Sequence, residues 1–217
     1  MKTLAIVQAR MGSTRLPQKV MLPVLGVPMI ELLLRRLSRS QQLDQILVAT
    51  STDPNNQSLA DCVEKLGYVV TRGSENDVLD RYYQAAKIYK SDIVVRITGD
   101  CPLIDPALVD ALVTTFKESK VDYVCNIYPP TYPDGLDIEV FSFQALGKTW
   151  KETDKTYDRE HVTPYIRESG KFAIRNVSYA EDFSAMRWTL DEPADFIVIE
   201  RIFKHFLPRD DFGWQEV

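Results

Sequence analysis

The chain is poor in the residues on which several chemistries depend. Its three cysteines, Cys62, Cys101 and Cys125, lack metal-ligand spacing, and an odd number argues against a disulfide framework. Histidine occurs only twice, at His161 and His205. Cys101 has no histidine or lysine near it in sequence, so it reads as a buried thiol rather than a nucleophile. Both common phosphate-loop signatures are missing: there is no G-x-x-x-x-G-K-[ST] and no G-x-G-x-x-G, which disfavours a P-loop ATPase and a Rossmann dehydrogenase. No apolar run approaches the roughly 20 residues that span a bilayer, and Met1 to Val7 is too soon interrupted to read as a secretory signal. A cytoplasmic protein with no membrane partner is therefore expected. Net positive charge is lacking as well: a balance of −5 disfavours a general nucleic-acid binder. Repeats, low-complexity tracts and interdomain linkers are absent.

What is present suits one substantial α/β domain. The 217 residues are 45% hydrophobic and 26% charged, ordinary for a globular chain. The organising stretch is the beginning. An apolar run, Leu4 to Gln8, breaks into a loop carrying Gly12, Ser13, Thr14, Arg15 and Lys19, and a helix starts near Pro28. In open α/β sheets such a passage offers backbone N–H groups and cations to a phosphorylated ligand at the carboxyl end of the strand. From Met1 to Arg39 the cations Lys2, Arg10, Arg15, Lys19, Arg35, Arg36 and Arg39 face Glu31 alone, a local field suited to a small anion. Arg35, Arg36 and Arg39 themselves read as the solvated side and end of the first helix.

Strand and helix patterns then alternate. Ile30, Leu33, Leu34 and Leu37 recur at helical spacing. Ile46 to Thr50, Tyr68 to Thr71, Ile93 to Ile97 and Tyr123 to Cys125 read as strands. Asn56 to Leu66, stopped by Gly67, and Asp77 to Tyr89 read as helices, and Asp105 before Pro106 is a clean helix start. Alternation of this kind implies βαβ units, hence a mostly parallel sheet with helices on both faces. The second half differs. Tyr128 to Gly135 is a loop rich in proline and tyrosine, and Leu136 to Val140 alternates like a half-exposed strand with Asp137 and Glu139 on one face. Glu160 to Glu168 reads as a helix, Phe172 to Val177 as a strand, and the last helix runs to about Phe206. One domain over residues 1–217, with a small inserted excursion from about 128 to 177, fits this pattern.

Several residues admit two roles on spacing alone. Arg15 and Lys19, four apart across Pro17, suit a phosphate site or a solvated basic loop. Asp100, just past an apolar strand, suits a hard metal ion or a Gly-Asp turn. Asp191, before Glu192-Pro193, reads as a helix cap or as a second carboxylate of the same site. Arg72 is a ligand contact or a surface cation. Arg96, on an otherwise apolar strand, requires a partner from protein or ligand. Asp137 and Glu139 meet a ligand or face water. His161 is a substrate contact or an ordinary helix-start residue, and His205 reads as structural.

Gln8-Ala-Arg10-Met-Gly-Ser-Thr-Arg15-Leu-Pro-Gln-Lys19-Val resembles the opening signature of cytidylyltransferases that activate sugars. That group includes acylneuraminate and deoxy-manno-octulosonate enzymes and, most similar, the spore-coat polysaccharide biosynthesis branch. Thr98-Gly-Asp100-Cys-Pro-Leu-Ile-Asp-Pro106, Tyr132-Pro-Asp-Gly-Leu-Asp-Ile-Glu-Val-Phe141, Arg159-Glu-His-Val-Thr-Pro-Tyr165 and Thr189-Leu-Asp-Glu-Pro-Ala-Asp195 resemble that branch too. Gln18 departs from it, standing where the family has glycine.

The resemblance implies a Rossmann-like nucleotide-diphospho-sugar transferase sheet and Mg²⁺-dependent transfer of CMP from CTP to a sugar or sugar acid, releasing pyrophosphate. Arg15 and Lys19 would hold the triphosphate, with Asp100 the catalytic metal carboxylate and Asp191 a second metal ligand. Gln8, Ala9, Arg10, Gly12, Ser13, Arg72 and Gly99 would meet the nucleotide, backbone at Ala9 and Arg10 and the side chain of Arg72 reading the pyrimidine edge. Asp134, Asp137, Glu139 and His161 would meet the acceptor. Homodimer pairing through the excursion is also implied. Two alternatives stand beside it: a glycosyltransferase whose Asp-x-Asp motif would be sought in Asp137-Ile-Glu139, and a nucleotide-binding scaffold without turnover.

Overall fold

The first apolar run forms β1 (Thr3–Gln8) at the centre of the computed structural model, which describes residues Met1–Val217. Its side chains alternate across the sheet. Ala5 and Val7 enter the larger of two cores, on one face, and Leu4 and Ile6 the smaller, on the other. A short 3-10 turn at Lys19–Met21 follows, then a hairpin of β2 (Pro23–Val24) and β3 (Val27–Pro28), and α1 (Met29–Leu37). Next come β4 (Gln45–Ser51), α2 (Gln57–Lys65), β5 (Val69–Gly73), α3 (Val78–Ile88), β6 (Ile93–Thr98) and α4 (Pro106–Glu118). Capping carboxylates set two of these starts: Asp77 accepts from the Asp80 N–H, and Asp105 from the N–H groups of Ala107 and Leu108. The chain ends with β7 (Tyr123–Cys125), β8 (Glu139–Ser142), α5 (Phe143–Glu152), α6 (Thr156–His161), α7 (Pro164–Glu168), β9 (Ile174–Asn176) and α8 (Pro193–Phe206).

The seven-stranded sheet has the order β5-β4-β1-β6-β8-β7-β9, with every pairing parallel except those of β8. Residues of α1, α2, α4 and α8 fill the larger core, and residues of α3, α5 and α7 the smaller. After β1 the chain moves outward through β4 and β5, then returns to β6 on the other side of β1. The reversal lies between β1 and β6, and ligands of open α/β sheets bind in the crevice beyond such strand ends.

The residues 128–177 supply β8 and β9, and α5, unannounced by the sequence pattern, packs against α3. Three expectations change. Leu136 to Val140 is not half-exposed: the strand begins only at Glu139, Leu136, Ile138 and Val140 enter the larger core and Phe141 the smaller, and Glu139 is buried. The helix expected from Glu160 to Glu168 is two short helices parted at Val162, which has a φ of 71°. Arg36 is not solvated. Its guanidinium donates to the carbonyls of Ile104 (3.0 Å), Asp210 (2.7 Å) and Phe212 (2.9 Å) and lies 4.3 Å from the Phe212 ring. Burial pulls its pKa down to about 10, and Arg39 joins it on the Asp210 carbonyl.

Candidate active site

The carboxyl ends of β1 and β6 open on a cavity of about 440 Å³, within the usual range for small-molecule sites. Gln8 and Thr98 are register partners at its floor, and the Gly99 N–H donates to the Gln8 carbonyl at 2.7 Å. A Cβ on Gly99 would stand 2.8 Å from both the Ala9 Cβ and that carbonyl oxygen, so glycine is what keeps the two strand ends together. The loop after β1 folds on itself, the N–H groups of Ser13 and Gln18 both donating to the Met11 carbonyl. Gln18 sits at φ 58°, in the left-handed region. There a side chain costs about 1 kcal/mol, which is why glycine is the easier residue before Lys19.

The other wall is brought in from the far end of the chain. Gly135, at φ +107°, lies so close to Trp188 and Thr189 that a Cβ would meet their backbone at 2.6 Å. The two segments exchange Asp134 N–H to Met186 carbonyl and Trp188 N–H to Asp134 carbonyl bonds, and Leu190 donates to the Asp100 carbonyl at 2.8 Å. Asp191 is thereby set beside Asp100. It is not the cap of α8: Glu192 is, in a reciprocal capping box with Asp195. The Asp191 carboxylate is left facing cations, Lys19 at 2.6 Å, Arg15 at 3.1 Å and Arg187 at 3.2 Å.

The Lys19 ammonium bridges both carboxylates, 2.7 Å from Asp100 and 2.6 Å from Asp191. Burial works against its charge, yet the two carboxylates prevail and raise its pKa. Burial likewise opposes the Asp191 charge, but Lys19, Arg15 and Arg187 together hold its pKa below the ordinary value. Two hard oxygen donors from distant segments thus meet at a point that accommodates a positive charge. This set fits Mg²⁺, which takes few protein ligands and keeps water and phosphate oxygens for the rest.

Asp134, Asp137, Glu160, His161 and Thr189 line the cavity beyond this centre. Asp134 pairs with Arg187 at 3.1 Å. Asp137 has no cationic partner, and burial, with the neighbouring Asp134 and Glu139 carboxylates, pushes its pKa up to about 7. A carboxyl group whose folded-state pKa is raised stabilises the fold below its unfolded value and loses that contribution as pH rises through about 7. Asp137→Asn is therefore expected to gain stability relative to wild type as pH goes from 4 towards 8. Urea unfolding at several pH values checks this, and a pH-independent difference would contradict it.

Every residue expected above to meet nucleotide, acceptor or metal lines this cavity except Arg72 and Glu139. Arg72 lies on the edge strand β5, and its guanidinium is held by the carbonyls of Ser51 and Asp53 and by Gln57. Glu139 lies beneath Arg96, with which it forms a buried ion pair, and accepts from Tyr123 Oη and Thr163 Oγ1, each at 2.5 Å. These three partners and its burial commit the carboxylate to the protein interior rather than to a ligand.

Two cations went unnoticed in the sequence. Arg81, on α3, lines the cavity at 4% exposure with no carboxylate partner. Its Nη1 donates to the Ser74 and Glu75 carbonyls, its Nε has no partner, and burial lowers its pKa. Its place between Val78 and Ala85, on the apolar stripe of α3, was the available signal, the same one that marked Arg96. Arg187 gathers Asp134, Asp191 and Asp195 around one guanidinium.

A family model described as cytidylyltransferase matches residues 4–201. The spore coat polysaccharide biosynthesis protein SpsF of Bacillus subtilis is 32% identical over 228 residues, covering 99% of this chain and 91% of that protein. A cytidylyltransferase structure from Leptospira borgpetersenii superposes with a TM-score of 0.95 at 34% identity, covering 100% of this chain and 92% of that one. CMP:2-keto-3-deoxy-manno-octonic acid synthetase, solved in complex with CTP, shares the fold at a TM-score of 0.75 and 19% identity, over 95% of this chain and 100% of that one. No helix is long and apolar enough to cross a membrane.

Proposed function

The chain belongs to the cytidylyltransferase family and is a nucleotidyltransferase, and on that basis we propose that it transfers CMP from CTP to a sugar or sugar acid with release of pyrophosphate. The observation that carries this reading is the convergence of Lys19, Arg15, Asp100 and Asp191 at the open end of β1 and β6. Arg15 and Lys19 would bind the triphosphate and offset charge building on the leaving pyrophosphate. Asp100 and Asp191 would hold Mg²⁺, which supplies charge neutralisation on phosphate oxygens and lowers the pKa of a coordinated hydroxyl. Backbone at Ala9 and Arg10, with Gln8, Gly12, Ser13 and Gly99, would surround the nucleoside. Asp134, Asp137 and His161 would take acceptor hydroxyls, and holding the two substrates together would do much of the catalysis. A sugar-acid acceptor would match that of the octonic acid synthetase that shares the fold.

For the base, Arg81 replaces Arg72 in this proposal, because only Arg81 lines the cavity and keeps an unpaired donor. Arg81→Leu is expected to raise the KM for CTP by at least about tenfold with kcat little changed, the size of one lost hydrogen bond to a charged group. Arg72→Ala is expected to leave that KM within about twofold. Steady-state kinetics on both variants checks this, and the opposite ranking would return base reading to Arg72.

The glycosyltransferase alternative would draw its metal motif from Asp137 and Glu139, and Glu139 is occupied by Arg96, Tyr123 and Thr163. The decisive assay is pyrophosphate release from CTP and Mg²⁺ across a panel of sugars and sugar acids. Release dependent on one acceptor, with CTP preferred over other nucleotides, supports the proposal; nucleotide-sugar consumption without pyrophosphate refutes it.

A further inference from the structure

The Lys19 ammonium lies where a divalent ion would have to lie to be shared by Asp100 and Asp191. It is 13% exposed, within 2.7 and 2.6 Å of one oxygen of each carboxylate, and no third carboxylate, histidine or cysteine completes a metal cluster there. An ammonium group and a doubly charged ion a few ångströms apart repel each other strongly in so enclosed a place. The metal therefore cannot enter until Lys19 leaves. Leaving alone is unfavourable, since a largely buried cation would give up two charge-assisted hydrogen bonds. A triphosphate seated in this cavity would change that balance, because its oxygens could replace both carboxylates as acceptors for the ammonium.

We propose that Lys19 makes metal binding conditional on the nucleotide: in the free protein its ammonium closes the Asp100–Asp191 site, and it releases that site when phosphate oxygens take it over. The proposal rests on the triphosphate and metal roles given above, and it goes further by fixing an order. The metal binds weakly without the nucleotide and tightly with it. By linkage the coupling is mutual, so whatever frees the carboxylates from Lys19 also weakens the cooperation between metal and nucleotide.

The test measures Mn²⁺ binding to the full chain by the free-ion electron paramagnetic resonance signal, without CTP or sugar. Wild type is expected to bind Mn²⁺ at least tenfold more weakly than Lys19→Met and Lys19→Gln. The gain is expected to vanish when Asp191→Asn is added to either variant. Equal affinity of wild type and the Lys19 variants overturns the proposal, and so does a gain that survives Asp191→Asn. Should neither Lys19 variant fold, the wild-type amide signals of Gly99 and Asp191 decide. They should stay sharp with Mn²⁺ alone and broaden once a CTP analogue with a methylene between its α and β phosphorus atoms is added; broadening with Mn²⁺ alone overturns it. Because the binding arm needs no turnover, its failure is separable from a failure of the cytidylyl-transfer reading, which would show as absence of pyrophosphate with every acceptor.

Discussion

Asp100→Ala is expected to lower kcat by about a hundredfold or more while the protein stays folded. Removing one preorganised group that acts on charge developing in the transition state typically removes two to three orders of magnitude. Asp100 is one of the two carboxylates at the centre, and its only side-chain partners are Lys19 and the Cys101 thiol. Its loss leaves Lys19 paired with Asp191, so no buried cation is abandoned and the fold is expected to survive, with a loss of about 1–3 kcal/mol for one hydrogen bond to a charged group. Lys19→Ala is expected to lose turnover on the same scale, even though Lys19 variants should bind metal more tightly. Pyrophosphate release with the thermal midpoint measured alongside separates the two effects. Wild-type-like turnover in Asp100→Ala would remove the proposed mechanism.

Glu139→Ala is expected to destabilise the fold by about 3–5 kcal/mol, the usual consequence of leaving a buried charge without its partner. Arg96 would remain inside the sheet, and Tyr123 and Thr163 would lose the oxygen they now donate to. Burial disfavours the Glu139 charge, but Arg96 and the two hydroxyl donors outweigh it and hold the pKa below the ordinary value. A depressed carboxylate stabilises the fold above its unfolded pKa, and that contribution is lost as pH falls through the folded value. Wild type should therefore lose stability on acidification more steeply than Glu139→Gln. Urea denaturation with the acceptor KM as a second readout decides the role. A raised acceptor KM with unchanged stability would restore Glu139 to the substrate site.

Periodicity alone located the parallel half of the sheet, because strands β1, β4, β5 and β6 alternate with helices that carry apolar residues at helical spacing. The site was legible where residues sit at strand ends: Gly99 and Asp100 follow β6 directly, and the loop to Lys19 follows β1. Asp191 was ambiguous because its position depends on bonds between segments far apart in sequence, such as Leu190 to Asp100. Glu139 and Arg36 misled for one reason. Each is a charged residue in a pattern that reads as exposed, and each is enclosed by distant residues, Arg96, Tyr123 and Thr163 around the one and the chain near Phe212 around the other. Arg72 lies near the end of β5 and Arg81 in the helix that follows, and only three-dimensional packing separates the one held by the Ser51 carbonyl from the one that lines the cavity.

The most direct test of the central claim is a crystal structure with Mn²⁺ and a CTP analogue that cannot release pyrophosphate. Anomalous scattering would place the metal. It should lie between Asp100 and Asp191, with the triphosphate on Arg15 and with Lys19 turned from the carboxylates to a phosphate oxygen. A triphosphate bound away from β1 and β6, or a metal held without either carboxylate, would contradict the proposal.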